Sequence, residues 1–278
     1  MLKSILAASD LSARSIPAVL RAVRLAEAAG ARLCIVHVVE DDLLLYGLRA
    51  KTHAAEDYLT AQVAEFGTPE GCEIAVVSGH AFQVLVEEAL AREADLIVVG
   101  AHRRQTLRDA FVGTTSERVT RTSGRPVLVA NSETCQPWRK VFIATDLSET
   151  SAYAACRAHA LGLLDGAEVT FVHAHEPSGG RDDEETGQDP NPTHHEVMRF
   201  IQELGLESVR CSVRLVAGPP AQAIAGAVED AKPDLLVLGT RGLSRVKRLF
   251  LGSVAQELMG GLEIDVLAVP PETSPLDW

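Results

Sequence analysis

The sequence predicts an α/β protein built from two tandem, doubly wound domains, each with a five-stranded parallel sheet. Two observations lead to this prediction: an internal repeat that spans the chain, and short apolar runs that alternate with longer Ala- and Leu-rich segments. Near-continuous apolar strands that alternate with helices are typical of a parallel sheet covered on both faces. Right-handed crossovers then produce the doubly wound arrangement.

The repeat is visible along the whole chain. The segment KSILAASDLSARS near the N-terminus recurs as RKVFIATDLSETS and aligns Asp10 with Asp146, an offset of 136 residues (146 − 10). A later match aligns Gly113 with Gly252, an offset of 139 (252 − 113). The three extra residues are expected after the second strand. We predict domains at 1–135 and 136–278, since the segment NSETCQPWRK between them is polar and contains proline.

The elements follow from the second repeat, which is the clearer one. Five short apolar or β-branched runs predict its strands, in the order VFIAT, EVTFVHA, VRCSVRLV, DLLVLG and DVLAV. Helices are predicted between them, for example over TSAYAACRAHALGLL and AQAIAGAVEDA. In such sheets ligands bind beyond the carboxyl ends of the strands at the switch point, which is where Asp146 and Gly239 are expected.

Composition excludes several classes of protein. The net charge is −12 over 278 residues, which argues against nucleic-acid binding because phosphate contacts need a basic face. No uninterrupted apolar run of about 18 residues exists to cross a membrane, and Asp10 comes too early for a signal peptide. A cytoplasmic location is expected. The five cysteines form no C-x-x-C pair and are predicted to be buried free thiols.

The connection GTRGLSRVKRLFLGS, residues 239–253, carries the functional prediction. Its glycines follow the spacing G-x2-G-x9-G and lie between a predicted strand and a predicted helix, so backbone amides can approach a ligand closely. The free N–H groups and the dipole of a helix start favour an anion such as phosphate. A capping box explains the hydroxyl without any ligand, since Ser253-x-x-Gln256 and Thr114-x-x-Glu117 both fit that pattern.

These motifs together resemble the universal stress protein family in its tandem form. The resemblance rests on A-x-D-x-S at the first strand, on G-x2-G-x9-G-[S/T], and on IATDLS, LVLGTRG, FLGSVAQ and SGRPVLVA. It implies an adenine nucleotide alpha hydrolase-like fold, a regulatory role in the stress response, and ATP or AMP as ligand, with Mg²⁺ as companion. By position it assigns Ala144, Thr145, Asp146 and Ala174 to the base and ribose, and Gly239, Gly242, Gly252, Ser253 and Val254 to the phosphates.

The resemblance also implies how the halves meet. The last strands, in RPVLVA and IDVLAV, are expected to pair across a pseudo-two-fold axis, so that one chain imitates a homodimer of single domains. The two halves differ in their glycine segments. The first half retains Gly100, Gly113 and Thr114 but has Arg103 in place of the second glycine. Because a Cβ restricts φ and fills space beside the phosphates, we expect one nucleotide per chain, in the second half. A direct contact of Arg103 with phosphate is the alternative.

Two other functions are compatible with the sequence. A nucleotide-free interaction protein with unknown partners and a slow ATP hydrolase remain open, although no Ser-His-Asp set or carboxylate pair falls at the switch point. The segment PSGGRDD imitates a loop of ATP pyrophosphatases but follows the second strand instead of the first. Four histidines have neighbouring acids Glu176, Asp182 and Asp183 but lack zinc-ligand spacing, so no metal site is predicted: His173, His175, His194 and His195.

Overall fold

The computed structural model describes residues 1–39, 45–100, 114–132, 135–175, 194–241 and 251–271, with the backbone alone for 45–50. Each half alternates strands and helices as the sequence predicts. The elements of the first half are β1 (Ser4–Ser9), α1 (Ile16–Ala29), β2 (Arg32–Val39), α2 (Leu45–Phe66), β3 (Glu73–Ser78), α3 (Ala81–Ala91), β4 (Leu96–Gly100), α4 (Thr115–Thr122) and β5 (Val127–Ala130). Those of the second half are β6 (Lys140–Ala144), α5 (Glu149–Ala160), β7 (Glu168–His175), α6 (His194–Glu203), β8 (Arg210–Ala217), α7 (Pro220–Ala231), β9 (Leu235–Gly239), α8 (Ser253–Gly261) and β10 (Asp265–Val269).

The ten strands form one sheet in the order β3-β2-β1-β4-β5-β10-β9-β6-β7-β8. Within each half all pairs are parallel and the order is that of a doubly wound fold, so the predicted fold class is confirmed. The halves join through β5 and β10, which are antiparallel with Leu128 opposite Leu267. This confirms the predicted pairing of the two last strands. The switch points lie between β1 and β4 and between β6 and β9.

Strand register locates the insertion between the halves. Cys34 of β2 lies opposite Glu73 of β3, while Thr170 of β7 lies opposite Ser212 of β8. The offset between the halves is therefore 136 at the second strand (170 − 34) and 139 at the third (212 − 73). The three extra residues fall between these strands, as the repeat predicts.

The sheet is buried on both faces, which explains why its strands are apolar at nearly every position. One core layer lies under α1, α2, α5 and α6 and includes Leu33 and Phe171. The other lies under α3, α4, α7 and α8 and includes Ile97 and Leu236. Each layer contains residues of both halves, so the ten strands share a continuous core.

A buried ionic cluster holds the segment between the halves. The Asp265 carboxylate, fully buried at the start of β10, lies 2.9 Å from Nε of Arg21 on α1. It also accepts hydrogen bonds from the backbone N–H groups of Asn131 and Ser132 and from the Trp138 indole, at 3.0–3.1 Å. Arg21 in turn stacks over the Trp138 ring, 4.8 Å from its centroid. The residues that connect the halves are thus tied to α1 and β10 at once.

All five cysteines are free. The prediction of buried thiols is correct for Cys34, and burial raises the pKa of its thiol to about 12. It is wrong for the other four, which are only partly buried because they lie at sheet edges, helix surfaces or the inter-domain segment: Cys72, Cys135, Cys156 and Cys211. Among the described helices, none is both long and apolar enough to cross a bilayer.

Candidate functional site

A cavity of about 240 Å³ opens at the carboxyl ends of β6 and β9, beside the start of α8. The structure brings eight of the nine predicted site residues to its wall: Ala144, Thr145, Asp146, Ala174, Gly239, Gly252, Ser253 and Val254. The ninth, Gly242, lies outside the described residues. Seven further residues line the cavity without having been predicted: Ser151, Pro220, Ile224, Leu238, Thr240, Arg241 and Ala255. Most of them adjoin a predicted residue in sequence, whereas Pro220 and Ile224 come from α7, which carries no motif.

The turn after β6 is built by hydroxyl groups. Leu147 adopts a left-handed conformation with φ of 62°, and its N–H donates to the Thr145 hydroxyl at 3.0 Å. The Asp146 carboxylate accepts hydrogen bonds from both the N–H and the hydroxyl of Ser148, which is the N-cap of α5. These bonds fix the half-buried Asp146 at the cavity wall with a defined orientation.

The strand-end histidines have a structural role. Nδ1 of His173 lies 2.8 Å from the carbonyl oxygen of Thr145, and Nδ1 of His37 lies 2.8 Å from that of Ser9. Because a carbonyl can only accept, each Nδ1 carries the proton. In each half the ring therefore links the end of the first strand to the end of the second.

The glycine side of the cavity is crowded. A Cβ added to Gly239 would lie 2.9 Å from Cγ2 of Thr150 and 3.3 Å from its carbonyl oxygen. Gly239 has no positive φ, so close approach is the reason for glycine here. Gly252 donates its N–H to the Thr240 carbonyl at 2.8 Å, and Thr240 is held to β10 by a bond from its own N–H to Val269. This chain of bonds brings the two ends of the glycine segment together.

The capping box predicted at the start of α8 does not form. The helix begins with Gly252 as N-cap, so Ser253 lies inside the first turn and the Gln256 N–H donates to the Gly252 carbonyl at 2.9 Å. Gly252 has no side chain to accept the first amides, and the Ser253 side chain is exposed. In the first half the predicted box does form, between Thr114 and Glu117. The cap explanation thus holds for Thr114 but not for Ser253.

The sequence profile described as the universal stress protein family matches residues 1–131 and again 137–270. The chain belongs to the universal stress protein family. Its two matches give it the tandem form within that family.

Several universal stress proteins are similar to this one. A relative from Thermus aquaticus, named for its position in a sulfhydrylase 3′ region, is 33% identical over 135 residues, which cover 48% of this chain and 98% of the relative. Universal stress protein E of Salmonella typhi is 23% identical over 227 residues, or 75% of this chain and 70% of that protein. The crystal structure of a universal stress protein from Archaeoglobus fulgidus superimposes with a TM-score of 0.73 at 19% identity, covering 96% of both chains. This last likeness shows the shared fold.

This universal stress protein has a second cavity, of about 380 Å³, at the equivalent place in its first half. Ser9, Asp10 and Gly100 line it as Thr145, Asp146 and Gly239 line the other. Arg14, Thr115 and Ser116 add polar groups to this cavity at positions where the second half has Thr150, Val254 and Ala255. Arg103 and Gly113, on which the expected difference between the halves depends, lie outside the described residues.

In the part of the chain that the structure describes, no three His, Cys, Asp or Glu side chains lie close enough together to hold a metal ion. His173 and His175 end β7, and His194 and His195 begin α6. The neighbouring acids Glu176, Asp182 and Asp183, and with them the PSGGRDD segment, lie outside the described residues.

Proposed function

We propose that this universal stress protein binds an adenine nucleotide, ATP or AMP, in the cavity of its second half and acts in the cytoplasm as a regulatory module of the stress response. One observation carries the proposal. Residues from three separate stretches of sequence, which the family resemblance assigns to the adenosine side and to the phosphate side, line a single cavity.

The phosphate side suits an anion. The first N–H groups of α8 have no partner within the helix, and no capping side chain stands at Gly252. The helix dipole adds a partial positive charge there, and Arg241 at the cavity wall adds a full one. Mg²⁺ would accompany the phosphates as their counter-ion.

The opposite side suits a nucleoside. Ala144, Ile224 and Leu238 present apolar surface against which a base can pack. The Asp146 carboxylate is held by Ser148 at the same wall, where it can accept hydrogen bonds from ribose hydroxyl groups. An apolar pocket with a few fixed polar groups is the usual form of a small-molecule site.

A charge change at Gly252 tests the proposal. Gly252→Asp and Gly252→Asn have the same shape, both residues are good N-caps, and the extended backbone at this position (φ −60°, ψ 145°) accepts either. Only the aspartate adds a negative charge where phosphate would lie, at a cost of about 4 kcal/mol for unit charges about 4 Å apart near a protein surface. Both side chains can cap α8 and so compete with phosphate equally, which leaves the charge as the only difference between them. We expect Gly252→Asp to bind ATP and AMP at least tenfold more weakly than Gly252→Asn in calorimetry.

Two results would overturn this function. One is a wild-type chain that binds no adenine nucleotide, which would favour the nucleotide-free interaction protein. The other is equal affinity in Gly252→Asp and Gly252→Asn, which would move the phosphates away from α8. Release of inorganic phosphate from ATP separates a binding protein from a slow hydrolase.

A further inference from the structure

Two equivalent residues of the halves touch each other at the centre of the molecule. Glu117 in the first turn of α4 and Gln256 in the first turn of α8 are 139 residues apart, the offset of the repeat in this region. The Gln256 side-chain amide Nε2 donates to Oε2 of Glu117 at 3.4 Å. Each of the two helix starts lines a cavity, through Thr115 in the first half and Val254 in the second. The contact therefore connects the walls of the two cavities.

The two helix starts are in different states. At α4 the capping box is closed, because the Glu117 carboxylate accepts from the Thr114 N–H at 3.3 Å and the Thr114 hydroxyl accepts from the Glu117 N–H at 3.2 Å. At α8 the helix starts one residue earlier relative to the aligned sequence, with Gly252 as N-cap. There the Gln256 side chain reaches to the other half instead of to its own helix start.

The second half has the residues for a closed start as well. If α8 began one residue later, Ser253 would become the N-cap and Gln256 the third residue of the helix. The Ser253 hydroxyl would then accept from the Gln256 N–H, and the Gln256 amide oxygen would accept from the Ser253 N–H. Such a box would occupy the Ser253 N–H, which the open start leaves to a ligand, since the Gln256 N–H is already bonded to the Gly252 carbonyl.

We propose that Glu117 is a positioning residue for the nucleotide site of the other half. By holding the Gln256 amide, it favours the open start of α8 and leaves the first amides of that helix to the phosphates. The acceptor is a carboxylate, and Glu117 is only 7% exposed, so its side of this part-buried contact is shielded from water. The identity of the ligand rests on the proposed function, whereas the state of the helix start does not.

The first test uses the free protein. Amide hydrogen exchange at Ser253 reports the helix start, since the closed box gives this N–H an acceptor on Gln256. We expect Glu117→Ala to slow exchange at Ser253 several-fold. The double variant Glu117→Ala/Gln256→Ala should exchange as wild type does, because no side-chain amide remains to close the box. Unchanged exchange in Glu117→Ala, or slowed exchange in the double variant, would overturn the proposal.

The second test measures ATP affinity of the full chain by calorimetry. We expect Glu117→Ala to bind about tenfold more weakly, Glu117→Gln to remain within a few-fold of wild type because its amide oxygen still accepts, and the double variant to recover most of the loss. Thr114→Ala is the matched control: it breaks the same box on α4 without touching Gln256. If Thr114→Ala weakened binding as much as Glu117→Ala, the role of Glu117 would be only to cap α4.

The two proposals fail separately. A wild-type chain without nucleotide binding overturns the proposed function, while the exchange measurement at Ser253 still decides the role of Glu117. A chain that binds ATP normally but shows no response at Ser253 in Glu117→Ala retains its function and loses this inference.

Discussion

At the scale of single residues, the Asp-x-Ser motif builds the same turn at the end of the first strand in both halves. Oδ1 of Asp10 accepts the N–H of Ser12 at 2.9 Å and its hydroxyl at 2.6 Å. Leu11 between them takes a φ of 61°, which matches Leu147 of the second half. A residue with a Cβ avoids this conformation unless its surroundings hold it there, and the aspartate and serine hydrogen bonds supply that restraint.

The charge of Asp10 is part of this turn. Burial alone would raise the pKa of its carboxyl, but the hydrogen bonds from Ser12, together with smaller ones from Ser15 and from the Asp10 backbone, outweigh burial and lower the pKa below its ordinary value. A lowered pKa in the folded state means that the ionised group stabilises the fold above the ordinary pKa, and that this contribution disappears as the pH falls through the lowered value.

We predict that Ser12→Ala moves the pKa of Asp10 upward, because it removes the hydroxyl donor. An NMR titration of the Asp10 carboxyl carbon measures the change, and Ser12→Thr, which retains a hydroxyl, is the control. A pKa that is the same in Ser12→Ala and wild type would show that the Ser12 hydroxyl does not stabilise the ionised carboxyl.

At the scale of elements, the two equivalent helices α4 and α8 begin differently although their sequences align. In α4 the N-cap is a threonine whose side chain accepts from the Glu117 N–H, while in α8 the aligned serine is the first residue of the helix. The glycine before it already has the extended conformation of an N-cap, so the helix can start there.

Because the two helices begin differently, equivalent substitutions in them should change the free energy of unfolding by different amounts. Thr114→Ala should lower the free energy of unfolding by about 1 kcal/mol, because it removes a capping side chain. Ser253→Ala should change it by less than about 0.5 kcal/mol, because an exposed hydroxyl inside the first turn caps nothing. Urea unfolding followed by circular dichroism measures both. An equal loss in the two variants would mean that Ser253 is an N-cap in solution.

At the scale of the whole molecule, the halves are joined by more than the pairing of β5 with β10. The cluster of Asp265, Arg21 and Trp138 ties α1 of the first half to β10 of the second and fixes the segment between them. Removing one partner of a buried ion pair is costly because the other charge stays buried without compensation.

We predict that Asp265→Asn lowers the free energy of unfolding by roughly 3–5 kcal/mol, because Arg21 is 4% exposed and loses the carboxylate that lies 2.9 Å from its Nε. The control is Glu27→Gln, which breaks an exposed ion pair with Arg24 on the same helix and should cost less than about 1 kcal/mol. Thermal and urea unfolding of the full chain measure the two. Similar small losses in both variants would show that the cluster does not hold the halves together.

The two halves are expected to differ in nucleotide binding. We expect a calorimetric stoichiometry near one nucleotide, in the second half, because Arg103 replaces the middle glycine of the first. A carboxylate at either helix start should repel phosphate from that half alone, so Gly252→Asp should remove binding and Gly113→Asp should leave it. The reverse pattern would mean that Arg103 binds phosphate and that the first half holds the nucleotide.

The fold class and the repeat could be predicted from the sequence because strand and helix periodicities are local. The eight residues that meet at one cavity came from the family resemblance, and a doubly wound sheet brings the ends of its strands, where they lie, to one edge. The resemblance also implied the pairing of the two last strands, which suits strands that would otherwise have a free edge.

Contacts between residues far apart in the chain could not be predicted, because they depend on how the elements pack. Pro220 and Ile224 join the cavity because α7 packs beside it, and the buried partners of Asp265 come from α1 and the inter-domain segment. The start of α8 also differs from its sequence pattern, with Gly252 as N-cap and the Gln256 side chain in contact with Glu117 of the other half. A local motif specifies which hydrogen bonds a segment can make, but packing of the two halves selects which of them form.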